Sequence, residues 1–316
     1  MQKGIFTQGI AVLLSQPISI TQAHQALREQ LAVGDINDFS KQWAYGGQSF
    51  VIPLRPEVNG YLMVDVVDRP WPDGMGHPQD DPQLFDAWSL GQFGPFAYPG
   101  NLERAVEQAW GSYPEGRQAV NDHQAFIRLR TSYTLGNEAG EDAPVLPEGY
   151  DPMQELVMLM AVAARFLDAL PEALCYFNPA GECLVSGRLL REAWSQVEEG
   201  NNLSPDLWSN VRLYRLPQEE EWVLMDTVGM WQLDVADHEA IFKKGASDPS
   251  QVADFLRNIS LYFLKDGIDA GVVFQVEGPG RIQWQGELYD NGVIQPPRQT
   301  VRWVRQDETG QPVING

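Results

Sequence analysis

The sequence predicts an α+β fold, with mostly antiparallel or mixed sheet and packed helices. Two observations lead to this prediction. Helical and β-rich segments alternate irregularly along the 316 residues, and several neighbouring strands are joined by short turns. A doubly wound parallel sheet would require a regular alternation of strand and helix. Both halves of the chain contain a strand, a helix and paired strands, which is compatible with two similar lobes.

Capping residues mark the start of three helices. Ser19 and Gln22 form a capping-box pattern, which satisfies free backbone amides at a helix N-terminus. Asp151 and Asp248 are each followed by proline, which suits the first helical position because its missing N–H needs no partner there. Two further helices are predicted to begin at Asn101 and Gly187, and the first and last helices are predicted to end at Gly34 and Gly267.

β-Rich runs bounded by turn residues predict strands throughout the chain. The run at 5–14 suits a buried strand, and the two runs after it are separated by an Asn59–Gly60 turn. The residues after Gly267 are β-like as far as position 306. The other predicted strands lie at 48–54, 60–68, 125–135, within 172–186 as a strand–turn–strand, at 210–217 and at 221–230.

The chain is predicted to form one domain over 1–306, followed by a flexible tail at 307–316. Within that domain, lobes over 1–136 and 150–306 would be joined by an acidic linker. The linker is placed at 137–149 because this stretch contains Gly and Pro and has no hydrophobic periodicity.

The stretch from Arg69 to Gly100 is rich in Pro, Gly and Asp, yet it carries several aromatic residues. Disordered linkers are poor in aromatics, so we expect an ordered irregular segment that packs on the body of the protein. Trp71 and Trp88 lie in this segment. We expect these two indoles to be exposed anchors for a protein partner.

The charge of the chain is strongly negative. It contains 43 Asp and Glu against 22 Lys and Arg, for a net charge of −21 and a pI of about 4.4. Such a protein repels nucleic acid and anionic membrane, and it attracts a basic protein partner. No apolar run reaches the 18 residues or more of a membrane span, and no signal peptide is evident, so a cytoplasmic location is expected.

Two cysteines, Cys175 and Cys183, flank a turn and could face each other across a hairpin. Two cysteines in a chain of this length do not make a disulfide framework. We therefore expect both thiols to be reduced and structural.

The segment 222–242 concentrates acidic residues around one histidine, but it matches no catalytic or metal-binding pattern. His238–Glu239 resembles the start of a zinc-protease helix, whereas the second histidine of that motif would fall at position 242, which is Phe. The acidic residues lack the spacing of a calcium-binding loop. We therefore predict no catalytic residues, no metal site and no cofactor, and interpret the segment as an acidic surface.

The order of several segments resembles the bacterial domain-of-unknown-function family number 4261. The resemblance rests on "GIAVLLSQP", "QSFVIPLRP", "GYLMVDVVD", "MQELVMLMAVAARFLDALPEALCYFNPAGECLVS", "LWSNVRLYRL", "EWVLMDTVGMWQLDVADHEAIF" and "DPSQVADFLRNISLYFLKDG". It extends over roughly residues 5 to 305. The family has no agreed enzymatic activity, so the resemblance implies no catalytic residues. It implies an immunity protein of type VI secretion or polymorphic toxin systems.

The resulting hypothesis is a non-enzymatic immunity protein that neutralises a cognate toxin, such as a nuclease effector. A nuclease needs basic surface to hold phosphate, and an acidic protein can occupy that surface. The alternatives are a hydrolase or transferase whose site assembles from distant residues, and a secretion adaptor or scaffold. The residues predicted to bind the partner, besides Trp71 and Trp88, are Glu219, Glu220, Glu221, Asp234, Asp237, Glu239, Asp80 and Asp81.

Overall fold

The computed structural model describes residues 3–38, 45–109, 111–135, 144–200, 203–216, 219–267, 272–310 and 312. Over these ranges the chain has the predicted α+β fold, with seven α-helices and two sheets. It divides into two compact units, Met1–Trp208 and Ser209–Gly316.

The first unit is built on a seven-stranded sheet in which every pairing is antiparallel. The N-terminal strand lies inside this sheet, and all seven of its residues are buried, which confirms the predicted buried strand. The sheet order is β2-β3-β4-β5-β1-β6-β7. The strands are β1 (Gln8–Leu14), β2 (Asn37–Asp38), β3 (Gln48–Arg55), β4 (Gly60–Val67), β5 (Ala125–Ser132), β6 (Ala173–Asn178) and β7 (Cys183–Ser186).

Six helices cover this sheet: α1 (Ile20–Arg28), α2 (Pro82–Ser89), α3 (Asn101–Ala109), α4 (Gly116–Asp122), α5 (Pro152–Ala169) and α6 (Gly187–Glu198). Helix α5 packs on β1 and is flanked by α1 and α6, which explains its nearly continuous apolar sequence. Ala11 and Leu13 of β1 belong to a core that α5 does not enter. Because side chains alternate along a strand, that core lies on the opposite face of the sheet.

The segment from Arg69 to Gly100 contributes Trp71, Ala87, Trp88 and Phe93 to this second core, so the prediction of an ordered, packed segment is confirmed. The predicted exposure of its two tryptophans is wrong, because Trp71 and Trp88 are buried. The Trp71 ring lies 5.0 Å from that of Phe177 and 5.2 Å from that of Phe93. The indole N–H of Trp71 donates to Asn101 Oδ1 at 3.2 Å. With this N–H satisfied, the whole indole can be buried.

The capping predictions are confirmed at all three helix starts. Ser19 and Gln22 exchange both capping-box hydrogen bonds, and Asp151 and Asp248 each accept from a backbone amide of the first turn. The last helix ends at Gly267 as predicted. The first helix does not extend to Gly34. It ends at Arg28, and the Gly34 N–H donates instead to Val51 O on β3 at 2.8 Å.

The second unit contains a six-stranded mixed sheet with the order β11-β12-β13-β10-β9-β8. The pairing of β10 with β13 is parallel and the others are antiparallel. One helix, α7 (Pro249–Asp266), packs on one face against Trp284 and Trp303 among others. The strands are β8 (Asn210–Arg215), β9 (Trp222–Val228), β10 (Asp237–Lys243), β11 (Phe274–Gly278), β12 (Ile282–Tyr289) and β13 (Thr300–Arg305).

The predicted linker, 137–149, lies outside the described residues over 137–143. Strands from either side of it, β5 and β6, both pair with β1 in one sheet. In the predicted tail, Asp307 pairs with Arg305 at 2.8 Å, and Glu308 accepts from the Lys243 N–H at 3.1 Å. Residues 311 and 313–316 of the tail are outside the described ranges.

Candidate functional site

The acidic segment singled out in the sequence forms the middle of the second sheet. Asp226 lies on β9, a 3-10 turn follows at Met230–Leu233, and Asp237 and Glu239 lie on β10. The sequence did not predict β10 as a strand. Its side chains alternate in direction: Ala240 and Phe242 belong to the core under α7, so the two carboxylates point to the other face.

The strand register places charged residues opposite one another across that face. Asp226 is paired with Glu239, and this acidic pair is flanked by Arg212 on β8 and Arg302 on β13. Glu287 on β12 is paired with Arg302 at the end of the row. Two carboxylates directly opposite each other repel, and a cation on either side compensates for that repulsion.

The contacts within this row are direct. Arg212 donates to both oxygens of Asp226, from Nε at 3.0 Å and from Nη2 at 2.5 Å. Arg302 donates from Nε to Glu239 Oε1 at 2.6 Å. Asp226, Glu239 and Arg212 are fully buried. Charges buried in this way are tolerated only when they are paired and hydrogen-bonded, so the row is a closed set of ion pairs.

A third arginine, Arg298, joins Asp237 to the row. Its Nη2 donates to Asp226 Oδ2 at 2.6 Å, and its Nε lies 3.3 Å from Asp237 Oδ2. Asp237 also accepts from Thr227 Oγ1 at 2.9 Å and from the Met230 N–H at 3.1 Å. Burial raises the pKa of Asp237, and the charge of Arg298 partly offsets that rise.

The same arginines hold the loop between β12 and β13 on the sheet. Arg212 Nη1 donates to Gln295 O at 3.0 Å, and Arg298 Nη1 donates to Ile294 O at 2.9 Å. Glu239 accepts from the Val293 N–H at 2.9 Å. The buried charges therefore position a loop as well as neutralise one another.

His238 lies on the opposite face of β10 from the two carboxylates. The indole N–H of Trp303 donates to His238 Nδ1 at 3.1 Å, and the Phe263 ring is stacked on the imidazole at 5.3 Å between ring centroids. Because Nδ1 accepts this hydrogen bond, the imidazole is neutral. Burial lowers the pKa of His238 to about 3. The histidine is part of the core under α7.

These positions correct part of the predicted interface. Asp237 and Glu239 were expected to be displayed to a partner, and both are buried in ion pairs. The physical reason is that their cationic partners lie far away in sequence, at Arg298 and Arg302. The expectation that this segment is an acidic surface holds for Asp234, which is exposed at the end of the 3-10 turn.

The remaining predicted residues divide between exposed and half-buried positions. Glu219, Glu220 and Glu221 are exposed where the chain enters β9. Asp80 is exposed, whereas Asp81 is half-buried and accepts from the Leu84 N–H at 3.1 Å as the N-cap of α2.

A second buried ion-pair cluster, in the first unit, was not predicted. Asp65 on β4 is paired with Arg128 on β5, whose Nη2 lies 2.5 Å from Asp65 Oδ2, and Arg130 Nη2 lies 3.3 Å from the same oxygen. Burial alone would raise the pKa of Asp65, but the two arginines outweigh it and hold that pKa below its usual value. Charged residues inside otherwise apolar strands were the signal that could have revealed it.

The cysteines are free and buried, which agrees with the prediction of reduced thiols. They do not face each other across the hairpin. Cys175 is paired with Ser186, and Cys183 with Asn178. Burial raises the pKa of both thiols above the usual range for cysteine.

Two further searches concern the described ranges only. None of the helices there has both the length and the apolar content that crossing a membrane requires. Within the same ranges, no three His, Cys, Asp or Glu side chains are grouped so that they could hold a metal ion.

Comparison with protein families gives a match for one part of the chain. Residues 226–304 match the family model described as Domain of unknown function (DUF4261). The match begins at the buried Asp226 and reaches into β13, so it includes the buried Asp226, Asp237, Glu239, Arg298 and Arg302. This segment is therefore similar to that family, which supports the resemblance over 226–304, whereas the resemblance was expected over roughly residues 5 to 305. No curated protein and no solved structure matches the chain.

Proposed function

We propose that the protein is a non-enzymatic immunity protein that presents an acidic surface to a basic protein partner. The partner would be a cognate secreted toxin, a nuclease effector of a type VI secretion system, and the encounter would take place in the cytoplasm. The immunity role is the one that the sequence resemblance implies. The binding mode follows from the distribution of charge in the structure.

The observation that supports this proposal is the unequal burial of the two charge signs. Acidic residues outnumber basic ones 43 to 22 in the sequence. Among the described residues, however, seven Lys and Arg side chains are buried against six Asp and Glu. Burial therefore removes a much larger share of the cations than of the anions from the surface. The ratio of acidic to basic residues is higher on the surface than in the whole sequence.

Most of the negative charge belongs to the first unit, which contains 27 Asp and Glu residues and 12 Lys and Arg residues. The stretch 70–124 contains eight acidic and two basic residues. Both of these cations are already paired: Arg104 lies 2.6 Å from Glu182, and Arg117 donates to Glu103 at 2.8 Å. The exposed run Glu219–Glu221 adds a separate acidic patch in the second unit.

A surface of this kind suits a basic partner for two reasons. It steers a cationic protein towards it and speeds association, and it discourages neutral or acidic partners. A nuclease carries cationic groups where it holds phosphate, so carboxylates can occupy the same positions.

The test uses the protein that co-purifies with this chain from its native host, identified by mass spectrometry and then produced pure. We expect a basic toxin whose activity the chain blocks. Its affinity should fall as salt is raised, because exposed charges are screened. Changing Glu219, Glu220 and Glu221 together to Lys should weaken the complex by about tenfold or more and reduce its salt dependence.

The matched control changes the same three residues to Gln, which removes charge without reversing it and should have a smaller effect. A complex that is insensitive both to salt and to charge reversal across the exposed carboxylates would contradict the proposal. Recovery of a component of the secretion apparatus, without protection against any toxin, would favour the adaptor alternative instead.

A further inference from the structure

An apolar groove opens on the first unit and is lined in large part by residues of the acidic stretch 70–124. Ile5, Met75 and Leu90 line it, and all three are exposed large apolar side chains. Phe6 and Trp88 form part of its wall, and its volume is about 400 Å³. That volume lies within the range of about 300–1,000 Å³ found for pockets that bind small ligands.

The walls of the groove are fixed by contacts behind them. The Arg130 guanidinium lies 4.0 Å from the centre of the Phe6 ring, and the Trp88 indole N–H donates to Gly74 O at 3.0 Å. Gly94 approaches β1 so closely that a Cβ added at Gly9 would lie 3.0 Å from Gly94 Cα. The groove therefore exists before any partner binds, so binding requires little ordering of the chain.

The cations nearest the groove, Lys3 and Arg130, are buried behind its walls, and the segment 70–100 that forms most of its lining carries acidic charges. Residues 70–100 include four aspartates and neither Lys nor Arg. Asp86 lies on α2 and is exposed, and Leu90 follows the last residue of that helix. The Leu90 N–H donates to Asp86 O, four positions earlier, so the two side chains lie on one face of the helix. Asp80 is exposed too, and the His77 imidazole Nδ1 lies 3.7 Å from its carboxylate.

We propose that this groove docks a short cationic segment of the partner protein. One aliphatic or aromatic side chain of that segment fills the groove, and Lys or Arg residues beside it contact Asp86 and Asp80. A central apolar anchor surrounded by charged contacts is the usual arrangement of an interface hot spot. This inference rests on the proposed function, since it names where a basic partner is held.

The charge of the chain favours a cationic peptide segment in the groove over a second copy of the chain, a membrane or a nucleic acid. A second copy of the chain would bring the same net charge of −21 to a groove in an acidic segment of the chain, and the two would repel. An anionic membrane or a nucleic acid would be repelled for the same reason. A cationic peptide segment satisfies both the apolar lining and the acidic segment.

The test begins with a random peptide library displayed on phage and selected against the full-length chain. We expect enrichment of peptides in which Leu, Phe or Trp is flanked by Lys or Arg. Binding of a synthetic enriched peptide should fall about tenfold with Leu90→Ser and with Asp86→Lys. The matched controls are Leu261→Ser and Asp254→Lys, both on α7. Leu261 is 42% exposed, which is comparable to the 58% exposure of Leu90 in the groove. Both control variants should bind the peptide as the wild-type chain does.

Several results would overturn the inference. One is enrichment of no peptide or of peptides without this pattern, and another is equal binding by Leu90→Ser and Leu261→Ser. A dimer of the native chain that Leu90→Ser converts to monomer would assign the groove to self-association. If the toxin complex forms but is unaffected by Leu90→Ser and Asp86→Lys, the docking site is wrong while the proposed function stands. If enriched peptides bind the groove but no toxin is recovered, the proposed function fails alone.

Discussion

Replacing Asp226 with alanine should lower the free energy of unfolding of the second unit by about 3–5 kcal/mol. Asp226 accepts from both Arg212 and Arg298, and both guanidinium groups are fully buried. Without this carboxylate, two positive charges remain in the interior, and Asp237, 3.3 Å from Arg298, offsets one of them. The loss is large because an uncompensated buried charge costs more than the ion pair contributes.

The measurement is urea unfolding of the wild-type and variant proteins, followed by circular dichroism. Glu220→Ala is the matched control, because it removes a carboxylate that is exposed just before the same strand. Its effect should stay within about 0.5 kcal/mol. Similar small losses in both variants would show that Asp226 is not enclosed by the two arginines.

Acidification should destabilise the protein through His238. Burial lowers the folded-state pKa of His238 to about 3, whereas the unfolded chain binds this proton near pH 6.5. Below that pH the unfolded state therefore holds more protons than the folded state. The stabilisation is fully present above about pH 6.5 and is lost as pH falls towards 3, at about 1.4 kcal/mol per pH unit.

The contribution of His238 can be separated from that of other groups with a His238→Asn variant. The asparagine side-chain oxygen can accept the hydrogen bond from Trp303, and it does not titrate. Between pH 7 and pH 4.5 the unfolding free energy of the wild-type protein should fall by about 3 kcal/mol more than that of the variant. Parallel pH profiles would mean that the imidazole is solvated.

Local signals were enough to predict much of the fold. The helix starts at Ser19, Asp151 and Asp248 were found because a capping residue and its amide partners are neighbours in sequence. The buried strand β1 was found because an apolar run carries its own signal. The same approach failed at Gly34, because that glycine pairs with Val51 on β3 and does not end the helix.

The charged interior could not be predicted in the same way. Glu239 and Arg302 lie 63 positions apart, and Asp226 and Arg298 lie 72 apart, so neither pairing is visible as a sequence pattern. An acidic run without neighbouring cations therefore resembled a surface. The clue was that Arg302 and Arg212 lie inside strands, where a charged residue on a covered face needs a partner.

The tryptophans and the groove show a related limit. Trp71 was expected to be exposed because it lies in a Pro- and Gly-rich stretch, but its neighbours in the core come from β5 and β6. The groove joins residues 4–6 to residues 75–99, and no local pattern connects these two segments. In both cases the sheet brings distant residues together.

The division of the carboxylates into a buried structural set and an exposed set can be tested by labelling the folded protein with a carbodiimide and an amine. Modified positions would be assigned by tandem mass spectrometry, with a urea-unfolded sample as the reference for intrinsic reactivity. Glu219, Glu220, Glu221 and Asp80 should be modified readily in the folded protein, whereas Asp226, Asp237 and Glu239 should be modified only after unfolding. Modification of Asp237 or Glu239 in the folded protein at the rate of Glu220 would contradict the closed ion-pair interior.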